Sequence, residues 1–229
     1  MSGGPPPGQQ VNLVIFDCDG VLIDSEVIST RSTVAALAEI GFEIAETEVA
    51  KRFVGRSYTS MRKEIEAGWG KPLPNDFEAE VERRTLEEMK ASLQPVDGIR
   101  EALSRLDLPR CVASSSSVDW ITSGLTKTGL LDYFAPHLFS ASMVENGKPA
   151  PDIFLHAAER MAVIPANAVV VEDSIPGVQA GVAAGASVIG FTGGSHISDK
   201  AAHGERLKAE GASLIIEEMR RLPEIVTAS

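Results

Sequence analysis

The chain has 229 residues, with 21 Lys+Arg against 32 Asp+Glu, a formal net charge of −11 at pH 7. An acidic excess of that size argues against nucleic acid and anionic membranes as partners, because affinity for both comes from Lys and Arg. With 44% hydrophobic residues and a mean hydropathy of +0.04, the composition is that of a soluble chain able to bury a sizeable core. Cys18 and Cys111 are the only cysteines, so no disulfide framework is implied and the reducing cytoplasm is the expected compartment. No apolar run approaches the length of a membrane span. Residues 1–10 (MSGGPPPGQQ) lack the basic and apolar regions of a secretion signal and read as a short disordered tail.

In chain order, Val11–Phe16 is a short β-branched run that ends at Asp17-Cys18-Asp19-Gly20, the pattern of a buried parallel strand. Further short apolar runs occupy Arg110–Ala113, Leu138–Ser140, Ala168–Val171, Ser187–Phe191 and Ser213–Ile216. Helical periodicity separates the later ones. Val118, Ile121 and Leu125 precede Gly129, and Ile175, Val178 and Val182 precede Gly185, both glycines standing where a helix C-cap belongs. Alternation of this kind predicts βαβ units and a parallel sheet covered on both faces. One stretch breaks it. From residue 26 to residue 94 the pattern is helical, at Val27–Ile40, Thr47–Val54, Tyr58–Ala67 and Phe77–Leu93. The expected organisation is an α/β core from 11–25 and 95–229, with an all-helical insert at 26–94.

Four motifs carry chemistry. Asp17 and Asp19 follow the first strand, and in extended chain positions i and i+2 point to one side, so both are expected to reach one site. Sites in open α/β sheets form beyond the carboxyl ends of strands, where two acids repel and require a cation or a shared proton. A calcium-binding loop fails the count: starting from Asp17, positions six and twelve hold Leu22 and Ile28 rather than glycine and an acid. Helix capping by Asp24 or Ser25 accounts for those residues but not for the pair before Gly20. Glu172 and Asp173 end another apolar run before a helix; taken alone, they could be favoured there by the helix dipole. Two acidic pairs at strand ends, with no histidine or cysteine cluster of ligand spacing, form an oxygen donor set suited to Mg²⁺ rather than Zn²⁺. The four histidines, His137, His156, His196 and His203, are read as surface or core residues. Lys148 lies in Gly147-Lys148-Pro149-Ala150-Pro151-Asp152, where the prolines restrict the backbone that aims it. Ser114 and Ser115 open a serine run after the second core strand, a polar loop whose hydroxyl and N–H donors suit a phosphate. Cys18, between the acids, is expected to point away from them as a packed small side chain.

Taken together, DxDGxLxDSE from Asp17, the serine run, GKPxPDxF and VEDSxxG occur in an order and spacing that resembles the haloacid dehalogenase superfamily of phosphohydrolases. The resemblance is strongest to the β-phosphoglucomutase-like subfamily with a helical cap, and implies an α/β fold whose core is a Rossmann-like, doubly wound parallel sheet with the site at the strand carboxyl ends. Segment 17–31 is also similar to bacterial sugar-phosphate and sugar-acid phosphate phosphatases. The resemblance implies Asp17 as the nucleophile that becomes phosphorylated and Asp19 as the acid/base. It implies Ser114, Ser115 and Lys148 as phosphate-binding residues, and Mg²⁺ held by the Asp17 carboxylate, the Asp19 carbonyl, Asp173 and Glu172, the last directly or through water. It places Arg56 and Tyr58 of the cap against the substrate, a small phosphorylated metabolite. A charge-neutralising set is physically required: a phosphate dianion about 4 Å from a carboxylate meets roughly 4 kcal/mol of repulsion per charge pair at an effective dielectric of 20.

Two departures from the mutase pattern favour hydrolysis over intramolecular transfer. Ser29 stands where the mutase has a histidine, and Tyr58 stands where it has a phosphate-gripping arginine. A hexose-phosphate mutase is the alternative reading. A phospho-accepting receiver domain is a remote one, since a receiver is about half this length and has no insert after its nucleophile strand. A dehalogenase has no use for Asp19 as leaving-group acid.

Overall fold

A computed structural model describes residues 10–53 and 58–227. Within it the chain forms two compact units, one from residues before 25 and after 93, the other from 25–93. Most of the tail expected at residues 1–10 lies outside the described residues.

The larger unit is a six-stranded, all-parallel sheet of β1 (Leu13–Phe16), β2 (Arg110–Ser114), β3 (Leu138–Ser140), β4 (Ala168–Glu172), β5 (Ser187–Phe191) and β6 (Leu214–Ile216), in the order β3-β2-β1-β4-β5-β6. This is the Rossmann-like, doubly wound arrangement. All four residues of β1 and all five of β4 are buried, the consequence of helices covering both faces of a parallel sheet. On one face Leu13, Ile15, Cys111, Ala113, Val170 and Val188 pack with Ile153, Phe154 and Val178 from the helices. Phe16 also meets Phe134 edge-on, with ring centroids 5.6 Å apart.

The topology decides where chemistry belongs. The chain winds from β1 outward through β2 to β3, then crosses back to pair β4 on the other side of β1, with Phe16 in register with Val112 and Val171. That reversal opens a crevice at the carboxyl ends of β1, β2 and β4.

The helices of this unit are α5 (Ile99–Arg105), α6 (Val118–Thr128), α7 (Asp152–Arg160), α8 (Ile175–Ala183), α9 (Lys200–Ala209) and α10 (Leu222–Thr227). Four earlier helices precede them in chain order: α1 (Ser25–Glu39), α2 (Glu46–Phe53), α3 (Tyr58–Trp69) and α4 (Phe77–Ser92). Gly129 (φ 66°) caps α6 in the left-handed conformation, and its N–H bonds the Thr126 carbonyl at 3.1 Å.

The smaller unit contains α1 to α4 and, among its described residues, no strand. Leu37, Val49, Phe53, Met61, Ile65, Phe77 and Val81 form its own apolar core. The charge run on α4 is a paired, solvated face. Glu80 accepts from Arg83 and Arg84, each at 2.6 Å, while Val81 beside it is fully buried.

Candidate active site

β1 delivers Asp17, whose N–H still bonds the Val171 carbonyl of β4 at 3.0 Å, so its backbone is an extension of the sheet. β4 delivers Glu172 as its last residue and Asp173 immediately after it. Asp17, Glu172 and Asp173 are all buried, and each offers a carboxylate oxygen within 4.8 Å of the others'. Lys148 joins them from the loop between β3 and α7. Ala150 N–H closes a turn on the Gly147 carbonyl at 3.0 Å, and Asp152 holds the loop by accepting from Asn146 Nδ2 at 3.0 Å. The Lys148 side chain is 5% exposed. Its Nζ donates to Asp17 Oδ1 at 2.6 Å, Glu172 Oε1 at 2.7 Å and the Ala113 carbonyl of β2 at 3.1 Å. The ammonium also lies 5.0 Å from the centroid of the Phe154 ring.

Glu172 has no freedom to turn. Its Oε2 accepts from Ser174 N–H at 2.8 Å and Ser174 Oγ at 2.9 Å, and the same hydroxyl caps α8 by accepting from Gly177 N–H at 3.1 Å. A Cβ on Gly177 would stand 1.8 Å from Glu172 Oε1, so this position must be glycine for the carboxylate to lie where it does. Gly181, one turn later, admits the sheet instead: a Cβ there would meet Val188 Cγ2 at 2.7 Å.

One lysine faces three acids, and the imbalance perturbs Asp17. Burial pushes its carboxyl well above the usual carboxylate range. Lys148 pulls it back, and Glu172, Asp173 and Asp19 push it further up. Burial works against the charged Lys148, yet Asp17 and Glu172 hold its pKa above that of an ordinary lysine. Cys18 is fully buried and its thiol is pushed up, first by burial and then by Asp19 and Asp17. It is a packed side chain.

Asp19 lies near enough to Asp17 to help push up its carboxyl. Its carboxylate is not part of the three-acid cluster. Instead Oδ2 accepts from Ser116 Oγ at 2.7 Å and Oδ1 from Trp120 Nε1 at 2.9 Å. The chain stops being extended after Asp17: Leu22 N–H bonds the Cys18 carbonyl at 2.9 Å and Gly20 takes φ 77°. A turn rather than continued strand alternation therefore sets the direction of the Asp19 side chain. Trp120 is itself held in α6, where its N–H donates to the Ser117 cap at 3.3 Å. Ser116 belongs to the serine run, whereas Trp120 did not stand out in the sequence.

Ser114 ends β2, is buried, and accepts from Ser116 N–H at 3.1 Å, whereas Ser115 is exposed. Arg56 lies outside the described residues. Tyr58 begins α3 and packs against the apolar core of the helical unit. Its phenol is pushed up to about 12, first by burial and then by Glu78, Glu82 and Glu26.

The histidines supply a second group that sequence reading missed. His196 Nε2 is 3.1 Å from Asp173 Oδ2. His203 Nε2 is 2.6 Å from the Asp173 carbonyl, and Arg206 NH2 is 3.0 Å from His203 Nδ1. A guanidinium only donates, so Nδ1 accepts and Nε2 carries the proton given to Asp173.

The donor set fits a small hard cation. It is all oxygen, buried and net negative, and Gly20 leaves its edge open, since a Cβ there would lie 2.0 Å from Asp173 Oδ2. A doubly wound parallel sheet with such a cluster at its switch point has the form of an α/β enzyme, whose site lies at the carboxyl ends of the strands. Residues 11–185 match the model of the haloacid dehalogenase-like hydrolases.

The chain is 32% identical over 188 residues to the 6-phosphogluconate phosphatase of Escherichia coli K12, covering 82% of this chain and 85% of that protein. A haloacid dehalogenase-like protein of Agrobacterium tumefaciens is 40% identical and superposes with a TM-score of 0.88, covering 95% of this chain and 98% of the other. A haloacid dehalogenase family hydrolase from Deinococcus radiodurans, solved with bound phosphate and sodium, is 30% identical with a TM-score of 0.80, covering 93% and 94%. The chain belongs to the haloacid dehalogenase-like hydrolase family, and within it is a phosphoric monoester hydrolase. Among the described residues no helix is long and apolar enough to cross a membrane.

Proposed function

We propose that this protein is a Mg²⁺-dependent phosphatase that hydrolyses a small phosphorylated metabolite, a sugar or sugar-acid phosphate, through a phosphorylated Asp17. The observation that carries the reading is the Lys148 ammonium bridging Asp17 and Glu172 at 2.6 and 2.7 Å inside a buried acidic cluster. A lysine so placed neutralises the nucleophile's surroundings, and since its three N–H groups already donate to Asp17, Glu172 and the Ala113 carbonyl, it holds a phosphoryl oxygen by exchanging one of these bonds. Similarity to the 6-phosphogluconate phosphatase supports the substrate class.

In the first step an Asp17 carboxylate oxygen attacks phosphorus, the bond to the leaving oxygen breaks, and Asp19 gives that oxygen its proton. In the second, water attacks the phosphorus of the aspartyl phosphate, Asp19 takes the water's proton, and the bond to Asp17 breaks to release inorganic phosphate. Lys148 and the Ser114 hydroxyl hold phosphoryl oxygens throughout, with Ser115 at the mouth of the same loop. Mg²⁺ would be held by Asp17, Asp173 and the Asp19 carbonyl. Glu172, whose two oxygens already accept from Lys148 and Ser174, would reach it through water. When bound, the ion neutralises charge on the transferring phosphoryl group. The two buried free thiols suit a reducing cytoplasm.

The test is a panel of phosphorylated sugars, sugar acids and nucleotides assayed with the purified chain, with and without Mg²⁺, alongside Asp17→Asn. Release of phosphate from sugar or sugar-acid phosphates only with Mg²⁺, abolished in the variant, is expected. Turnover retained by Asp17→Asn would overturn the nucleophile assignment, and an isomerised, still phosphorylated product would establish a mutase.

A further inference from the structure

We propose that His196 is a positioning residue that orients the Asp173 carboxylate for the cation. The inference rests on the reading of Asp173 as a metal ligand. The imidazole lies in the loop after β5, and its Nε2 is 3.1 Å from Asp173 Oδ2, with both side chains only 7% exposed. The ring occupies a slot made by two glycines. A Cβ on Gly194 would stand 2.7 Å from His196 Cε1, and one on Gly20 would stand 2.8 Å from the same atom. Gly20 belongs to the turn after Asp17, so the slot ties the nucleophile loop, the β5 loop and the end of β4 into one packed contact.

The need for such a device follows from the backbone. β4 ends at Glu172, so Asp173 lies beyond the sheet's hydrogen-bond ladder. Its carbonyl is instead taken by His203 from α9. His196 does for the side chain what His203 does for the main chain. The contact at Oδ2 fixes the rotation of the carboxylate, which also contributes an oxygen within 4.8 Å of those of Asp17 and Glu172. Small hard cations demand near-ideal geometry, so a freely rotating carboxylate binds them less well than a fixed one. Groups that hydrogen-bond metal ligands in this way typically contribute 10- to 100-fold to metal affinity. The imidazole nitrogen is not assigned as a ligand, because an oxygen set already suits the ion.

The experiment is calorimetric titration of the full chain with MgCl₂, comparing the parent with His196→Ala, His196→Leu, His196→Gln and Asp173→Asn, each checked for cooperative melting. Gln places an amide N–H close to where Nε2 lies. His196→Ala is expected to bind Mg²⁺ about 10- to 100-fold more weakly, with His196→Gln recovering most of the loss. Leu serves in place of Ala if Ala does not fold. Parent-like affinity in the apolar variant, or equal loss in the apolar and Gln variants, overturns the orienting role. Parent-like affinity in Asp173→Asn would instead overturn the assignment of Asp173 as a ligand, so the two failures are distinguishable.

Discussion

Lys148→Met is the most informative single change. Methionine keeps the unbranched stem but removes the ammonium and its position over the Phe154 ring, and with it two charge-assisted bonds of 2.6 and 2.7 Å and a third to the Ala113 carbonyl at 3.1 Å. What remains is a buried group of three carboxylates with no cation among them. Removing one partner of a buried ion pair costs about 3–5 kcal/mol, because the stranded charge loses both its partner and its solvent. In a chain of this size each kcal/mol shifts the melting temperature by about 2–4 °C, so the loss in metal-free buffer is expected at roughly 6–20 °C. The comparison is Arg105→Met. Arg105 pairs with Glu224 at 2.9 Å, but the side chains are 44% and 68% exposed, and such a pair contributes at most about 1 kcal/mol. Differential scanning calorimetry in the presence of a chelator checks both. The double variant Lys148→Met/Glu172→Gln should recover part of the stability, since replacing both partners removes a stranded charge. A Lys148→Met melting point no lower than that of Arg105→Met would refute the reasoning.

Three further outcomes follow from the same geometry. Asp17 is raised in the folded state relative to its ordinary value of 3.8, so its contribution to stability is complete below about pH 4 and is lost as pH rises through the folded value. Asp17→Asn is therefore expected to melt higher than the parent in metal-free buffer at pH 8, with the gap closing toward pH 5 although the variant is inactive. Melting curves across that range check it, and a gap that is absent or independent of pH would count against the burial argument. Gly177→Ala forces a Cβ to 1.8 Å from the fully buried Glu172. Overpacking of about 1–3 kcal/mol is expected to lower the melting temperature by roughly 2–12 °C and to reduce turnover by displacing Glu172 from Lys148. Thermal melts and initial rates would show it, and a neutral result would refute it. Trp120→Phe removes the 2.9 Å donor to Asp19 Oδ1, and with Asp19 as the proposed acid/base, kcat is expected to fall by more than KM changes. A change confined to KM would place Trp120 in substrate binding instead.

The acidic composition that argued against polyanionic partners is compatible with a small phosphate. A few of the 32 acids gather at strand ends, where their oxygens suit a cation that in turn suits a phosphate. That much was legible in the linear pattern. A strand buried on both faces must be apolar along its length, and an acid that abruptly ends such a run must sit at its carboxyl edge. Asp17, Glu172 and Asp173 were therefore placed by local periodicity alone, as were the sheet class and the all-helical stretch. Tertiary structure decided the rest. The strand order sets β1 between β2 and β4, and only that adjacency brings Lys148, 131 residues from Asp17 in sequence, into a 2.6 Å contact. A single turn after Asp17 rotated Asp19 toward Trp120, 101 residues away. His196 reaches the Asp173 carboxylate from the loop after β5, and His203, 30 residues from Asp173, reaches its main-chain carbonyl from α9. Periodicity reports which face a residue occupies on its own element. It carries no information about which other element that face will meet, and the partners of Asp19 and Asp173 are contacts of that second kind.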